Sequence, residues 1–515
     1  MASPTNPFAD DFALSAEEEN IQHAPAQARS TTPWRHGSTS TVGGDTGGDI
    51  ELTDLRPRAD VEKGRKGSAA RTRATEAADP PASGATETRF RRMGWKRLTI
   101  VLIVQTIALG VLGLPKAFAT LGMLLGIFFT SCIGYLALTT SFVIGQVKLL
   151  HPGVANYADA GRLLMGRFGY EVVSAMFLCK VVCLVASHCL TGAIAFEQLF
   201  DVNGSLCSIW LCLAAMFALL FLAIPPSFSE QAILGYVDFA SIILAIGVTV
   251  VGTGVAADGP DRPPGDPWSW YPREDATNSE TMTALGNIVF SYSYAVCQFT
   301  FMDDMHTPRD FGKSVKLFTV LLITVYVLTG ALIYGFVGTE VQAPALLSLK
   351  GTVAKAAWAV ALPVIFISGS INTVVAGRYL HGRIYKNSPL QYINTAWGWV
   401  SWIIIIGFIT ILSFFIAEAV PFFDNLLTIV SSLFGSAFTM YLPSVMWFKL
   451  IKRGKWHTRE NLTDAMAYTA IFTAGMMVLL GGVYYTITDL VEKTGSLGNP
   501  FSCTPLSDRQ SESAT

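Results

Sequence analysis

The chain has 515 residues, of which 51% are hydrophobic and 14% charged, with a formal net charge of −2. A long polar N-terminal stretch dilutes both fractions, so the remainder is far more apolar than a soluble domain. The near-zero charge offers nothing to a nucleic acid. The chain carries no phosphate loop, metal-ligand spacing or nucleophile–base motif, so an enzyme or ATP-driven pump is not expected, nor is any cofactor or metal.

Residues 1–92 are rich in Ala, Gly, Ser, Thr, Pro and charges and lack the apolar clusters that offset backbone ordering. They are expected to form a disordered tail. The first apolar run starts near residue 98, behind this charged stretch, and so is no cleavable signal peptide. Spans long enough to cross a hydrocarbon core as helices are predicted at 98–118, 122–147, 170–197, 206–224, 232–255, 282–301, 315–338, 353–376, 395–416, 425–447 and 466–489. The fold class is therefore all-α and polytopic, with about eleven membrane helices. They form one body at 93–491, followed by a flexible tail at 492–515.

Lys and Arg collect in cytoplasmic loops, and here they segregate into alternate loops. One set holds Arg89 to Arg97, Lys148 to Arg167, Arg309 to Lys316, Arg378 to Lys386 and Lys449 to Arg459. The other, around Asp201, Asp258 to Glu280, Glu340 and Glu418 to Asp424, is poor in basic residues. The N-terminus is therefore expected in the cytoplasm and the C-terminus across the bilayer. The plasma membrane is the expected location and the vacuolar membrane the alternative, because both give the same charge pattern. A sequon at Asn203-Gly204-Ser205 falls on the outer side, close to the membrane, where chance occurrence is the plainer reading. Cys132, Cys179, Cys183, Cys189, Cys212 and Cys297 lie inside spans, as small buried apolar residues. Cys207 and Cys503 fall outside the bilayer core, and spacing alone does not pair them.

Span one contains Gly110-Val111-Leu112-Gly113-Leu114-Pro115-Lys116. The proline removes a backbone donor and the glycines lower the cost of leaving the helix, so an interruption near mid-membrane is predicted. Freed amides at the start of the second half-helix suit a carboxylate, and freed carbonyls suit an ammonium or a cation; a plain kink is the alternative. Span six carries Ser291-Tyr292-Ser293-Tyr294-Ala295-Val296-Cys297-Gln298, polar and aromatic but without glycine. The two tyrosines would point opposite ways on an undistorted helix, so one of them is expected to face a ligand. Spans one and six occupy equivalent places if five spans are repeated in inverted orientation by the next five, with span eleven extra.

These features resemble the amino acid/auxin permeases, particularly their fungal neutral-amino-acid permease-like branch, over roughly residues 93–490. The resemblance rests on Leu109 to Pro115 with Leu121-Gly122, on Ile144-Gly145-Gln146, on His151-Pro152, on Tyr157 to Gly161, and on Phe290 to Ser293 leading to Asp304-Met305 and Pro308 to Phe311. It implies a LeuT-like inverted-repeat fold, alternating access and amino-acid uptake, commonly proton-driven. It also implies substrate contacts at Gly110, Val111, Leu112 and Gly113 through main chain, and at Ser291, Tyr292, Ser293 and Tyr294 through side chains. Gly113 departs from the motif, which carries a serine there. Two other classes remain alternatives: a non-transporting receptor on the same fold, and a carrier of a nucleobase or polyamine.

Ionisable residues inside spans mark functional hypotheses. Lys180, His188 and Glu197 lie on span three and Asp238 on span five. His188 is either a titrating group or a satisfied structural histidine. Lys180 either pairs, with Asp238 the partner on hand, or snorkels to the membrane edge. Glu197 is expected to be solvated, and Lys116 to be an interfacial anchor. Ser368, Ser370, Asn372 and Thr373 on span eight form an oxygen-rich cluster that either coordinates a hard cation or glues helices together. The resemblance favours proton over sodium as the co-transported ion.

Overall fold

Backbone groups that meet lipid find no water to bond, so a crossing segment must close its hydrogen bonds within itself. The protein answers with helices throughout. The structure, a computed structural model, describes residues 94–506 apart from 109, 201–206, 227, 258–265, 387, 389–394, 421, 498–500 and 502. The tail expected at 1–92 and the sequon at Asn203 lie outside the described residues.

Among the described residues, eight helices are long and apolar enough to cross a membrane. The shorter apolar helix Ser208–Leu222 supplies span four. Spans one and six are each broken into pieces. Span one is Trp95–Thr106 followed by the start of Gly110–Leu150, and the rest of that long helix, beyond a kink at Gly122, is span two. Span six is Asn278–Ser291, a tight 3-10 turn at Ser293–Cys297, and Gln298–Asp303. Spans three, five, seven, eight and nine fall in Tyr157–Phe200, Phe228–Ala257, Phe311–Val337, Gly351–Ile384 and Ala396–Ala419. Span ten, Phe423–Ile451, has 78% of its apolar window buried, whereas span eleven, within Leu462–Leu497, has 11%. The former is interior and the latter peripheral. Every predicted crossing thus falls on helix.

Span seven lies along spans one and two, which span six also packs against; span eight lies against spans three and five, and span nine against three and four. At the end rich in Lys and Arg, the buried Lys148 ammonium meets Asp303 at 2.6 Å and the Val154 carbonyl at 2.6 Å. Lys449 donates to the Leu164 carbonyl and Arg383 pairs with Glu171. At the opposite, acidic end, the chain before span six is threaded into the others: Met123 N donates to Ser269 O, Arg273 N to Thr120 O, and Thr339 N to Asp266 O. Span six then starts on a reciprocal cap between Thr277 and Glu280, with Arg273 held against Glu280 at 2.6 Å.

Cys207 and Cys503 form a disulfide at the acidic end. Glu197, expected to be solvated, is buried there, and its Oε2 accepts the Leu506 amide at 2.8 Å. The C-terminal segment covers it. The stretch expected as a flexible tail therefore starts as helix to Leu497 and is tied down again at Cys503 and Leu506. Of the six cysteines expected to be buried within spans, Cys189 and Cys212 are buried, Cys183 and Cys297 half-buried, and Cys132 and Cys179 exposed on outward faces.

Gly122 turns span one into span two with φ +75°, and a Cβ there would overlap the Tyr271 carbonyl. Gly122→Ala combines a left-handed backbone with a steric clash against main chain. It should destabilise the protein by more than about 2 kcal/mol, read as a drop in detergent melting temperature and in folded yield. An unchanged melting temperature would refute this packing.

Candidate binding site

The helix of span one ends at Thr106, and Ile107 leaves helical geometry with φ −79° and ψ 87°. Ala108 N turns back onto the Thr106 carbonyl at 3.0 Å, and helix resumes at Gly110. The break thus includes Ile107 and Ala108, just before the glycine-proline stretch in which it was expected. Pro115 is accommodated inside the second helix. There it removes the bond that its missing N–H would make to Val111, while Gly110 opens a half-helix whose first turn bends the Val111 amide back onto the Ala108 carbonyl at 3.4 Å. In span six the helix stops at Ser291, and Tyr292 leaves it with φ −100° and ψ 14°.

The two breaks are tied together by side chains. Ser291 Oγ donates to the Gly110 carbonyl at 3.0 Å, and the Tyr326 hydroxyl of span seven reaches the Ser291 carbonyl at 3.0 Å and the Thr106 carbonyl at 3.3 Å. The Lys180 ammonium donates to the Ser293 carbonyl at 2.6 Å and lies 5.7 Å from the centre of the Phe438 ring. The carbonyls left where the two helices end, Thr106 and Ser291, are thereby bonded, each of which would cost about 1–3 kcal/mol if buried unpaired.

A cavity of about 110 Å³ opens beside these breaks. Its wall includes Thr106, Gly110, Lys180, His188, Asp238, Ser291, Ser293, Tyr294, Ser368 and Asn372, set among mostly apolar side chains. Of the residues singled out from sequence on span one, Gly110 lines the cavity. Val111, Leu112 and Gly113 are buried in the packing beyond it, and the Cβ position of Gly113 looks onto Leu427 at 3.5 Å and Asn287 at 3.6 Å. Tyr294 lines the cavity; Tyr292 points away, against Gly134 of span two and the Tyr326 ring.

Asp238 does not pair with Lys180. Both carboxylate oxygens lie within hydrogen-bond reach of Ser368 Oγ, at 3.0 and 3.1 Å. The Lys180 ammonium, 2% exposed and far from snorkelling, goes instead to the carbonyl that the broken span six leaves open. On span eight, Ser368 and Asn372 share one helical face towards the cavity. Ser370 and Thr373 donate to their own helix, to Ile367 and Gly369 carbonyls, and belong to the packing. His188 has Nδ1 2.7 Å from the Leu184 carbonyl, so that nitrogen carries a proton and Nε2 is the acceptor of the neutral ring. Nε2 has no partner, and neither does Thr106 Oγ1. Two buried polar atoms on one cavity wall are thus unsatisfied by protein. Lys116 is not an interfacial anchor either: its ammonium is buried without a hydrogen-bond partner beside a smaller cavity at the acidic end, with Asp424, Asn425 and Asp489.

Tyr326 escaped the sequence reading, and so did Gln105 and Thr106, which also front the cavity or its breaks. The available signal was a tyrosine near the middle of span seven.

Helices broken within the membrane body around a polar-and-apolar cavity define a membrane carrier of small solutes rather than a channel or an anchored soluble domain. Residues 91–488 match the family described as transmembrane amino acid transporter protein, and the chain belongs to that family. It is similar to the "N amino acid transport system protein" of Neurospora crassa, with 47% identity over 425 residues, covering 81% of this chain and 90% of that one. It is also similar to proteins named "Transmembrane transporter" from Gibberella moniliformis, 27% identical over 80% of this chain and 88% of the other. The same name is carried by a relative from Fusarium pseudograminearum, 25% identical over 80% and 87%. The resemblance to amino acid permeases read from the motifs is borne out.

A Cβ on Gly110 would sit 3.1 Å from both the Phe290 ring and Ser291 Oγ. Gly110→Val should therefore wedge the two broken spans apart and reduce amino-acid uptake at least about tenfold, while Gly113→Ala, in ordinary contact with its neighbours, should retain it. Comparable uptake by both variants at equal surface delivery would refute the close approach.

Proposed function

We propose that the protein is a secondary carrier that moves neutral amino acids by alternately exposing the cavity between spans one and six, with proton movement as the driving force. The observation that carries this reading is the convergence of both helix breaks on one cavity whose wall holds His188 Nε2 and Thr106 Oγ1, neither bonded among the described residues. The half-helix start at Gly110 suits the α-carboxylate, and the carbonyls of the breaks suit the α-ammonium. The site's own charges, one ammonium at Lys180 and one carboxylate at Asp238, are of opposite sign, which suits a zwitterion with an uncharged side chain. The printed name of the Neurospora relative supports the same cargo class.

For coupling, the reading uses Asp238 and His188. A carboxylate or imidazole that alternates between a dry and a hydrated cavity alternates its affinity for a proton, which is what symport requires. Ser368 Oγ donates to Asp238 and Asn372 Nδ2 to the Ser368 carbonyl, so both side chains serve as donors in the packing of this wall. The choice of a proton over sodium rests on the resemblance to amino acid permeases. Orientation follows loop charge, with the Lys/Arg-rich end in the cytoplasm. The disulfide then lies on the side where thiols oxidise. A plasma-membrane location fits both features.

The test is uptake of labelled neutral amino acids into vesicles containing the purified protein, with and without an inward proton gradient. Uptake should accelerate with the gradient, and Asp238→Asn should abolish that acceleration while leaving exchange of amino acid across the membrane. Binding without any exchange would point to a receptor instead, and no response to any amino acid would sink the reading.

A further inference from the structure

The proton of the Tyr326 hydroxyl has two acceptors, one on each broken span. Ser291 closes the first half of span six and Thr106 closes the first half of span one; their carbonyls lie 3.0 and 3.3 Å from the phenol oxygen. A phenol donates one hydrogen bond, so the two carbonyls share a single donor. Tyr326 is fully buried, and its ring packs edge-on against Tyr292, 5.2 Å between centres, which is itself the residue at which span six leaves helical geometry. Thr106 and Ser291 both line the cavity, while Tyr326 is not among the residues on its wall. The hydroxyl therefore acts from behind, on the far side of the carbonyls from any solute.

We infer that Tyr326 is a positioning residue for the α-ammonium: it ties the Thr106 carbonyl, which already accepts the Ala108 amide, to the Ser291 carbonyl, so that the remaining lone pair of Ser291 is held towards the cavity beside the half-helix start at Gly110. Ser291 Oγ, bonded to the Gly110 carbonyl, registers span six against the start of the second half-helix. Tyr326 registers it against the end of the first. With both in place the two breaks form one preorganised surface, and a ligand bridging them avoids the cost of ordering two loose backbone segments. A ligand that engages the half-helix start alone, through a carboxylate, gains nothing from this tie.

The inference rests on the transport reading, and the experiment separates the two. Binding of leucine and of 4-methylpentanoate, which is leucine without its amino group, is measured on wild-type protein, Tyr326→Phe and Tyr334→Phe. Tyr334 lies two turns along the same helix, and its buried hydroxyl bonds the Ser269 amide. Tyr326→Phe should weaken leucine binding about tenfold and leave 4-methylpentanoate unchanged, with Tyr334→Phe matching wild type for both. Equal weakening for both ligands would reduce Tyr326 to a packing residue and overturn the inference. A wild type that binds no neutral amino acid overturns the transport reading and the inference with it. If Tyr326→Phe does not fold, a ring-fluorinated tyrosine at 326, a stronger donor of nearly the same shape, should tighten leucine binding alone; no change there also overturns it.

Discussion

Everything in this protein that bears on function follows from one constraint: a peptide group inside a bilayer must find a hydrogen-bond partner. Unbroken helices meet it without help. Spans one and six break, and the price is visible in three side chains from elsewhere in the fold. Ser291, Tyr326 and Lys180 reach the carbonyls at Gly110, Thr106, Ser291 and Ser293. A buried lysine on span three looks at first like a proton carrier or half of an ion pair. Its observed partner makes it a support for unwound main chain, and this explains why an isolated ammonium is tolerated at that depth.

The same constraint divides what could be read in the amino-acid order from what could not. Apolar length located the crossings, because the hydrocarbon core sets a minimum run that no soluble element needs. Gly110 and Pro115 announced an interruption in span one, and Ser291 to Tyr294 a polar counterpart. The exact place of the break was not legible. Glycine and proline lower the cost of unwinding, but the chain opens where partners wait for its carbonyls, and those partners sit on other spans. That is why the helix breaks at Ile107 and Ala108 and why Tyr326 went unnoticed.

Long-range pairing was equally illegible. Lys180 and Asp238 are a natural couple on paper, yet the carboxylate is taken by Ser368 and the ammonium by Ser293. Glu197 would be wetted at a helix end if the C-terminal segment did not return to cover it. Cys207 and Cys503, 296 positions apart, meet for the same reason. Helical face, by contrast, was legible: residues 292 and 294 do point apart, and residues 368 and 372 do share a side, because a period of 3.6 residues fixes both.

The cavity is not symmetric about its breaks. Its wall runs from His188, Gly110 and Ser368 towards Phe177, Phe301 and Val375, on the stretches of spans three, six and eight that lead to the Lys/Arg-rich end. Towards the acidic end a seam of side chains lies between this cavity and the smaller one beside Lys116. Asn287 Nδ2 donates to Asp424 at 2.7 Å, Thr428 Oγ1 donates to the Thr283 carbonyl at 3.2 Å, and Gly113 packs on Leu427. Asn287 and Thr283 belong to span six, Asp424 and Thr428 to span ten, so the seam is a polar one between one broken span and one buried one. Under the alternating access proposed above, opening the acidic end would part span six from span ten, and the hydrogen bonds lost there would be regained from water. A seam made of amides, hydroxyls and a carboxylate can make that exchange at little net cost, whereas a seam of aliphatic packing could not.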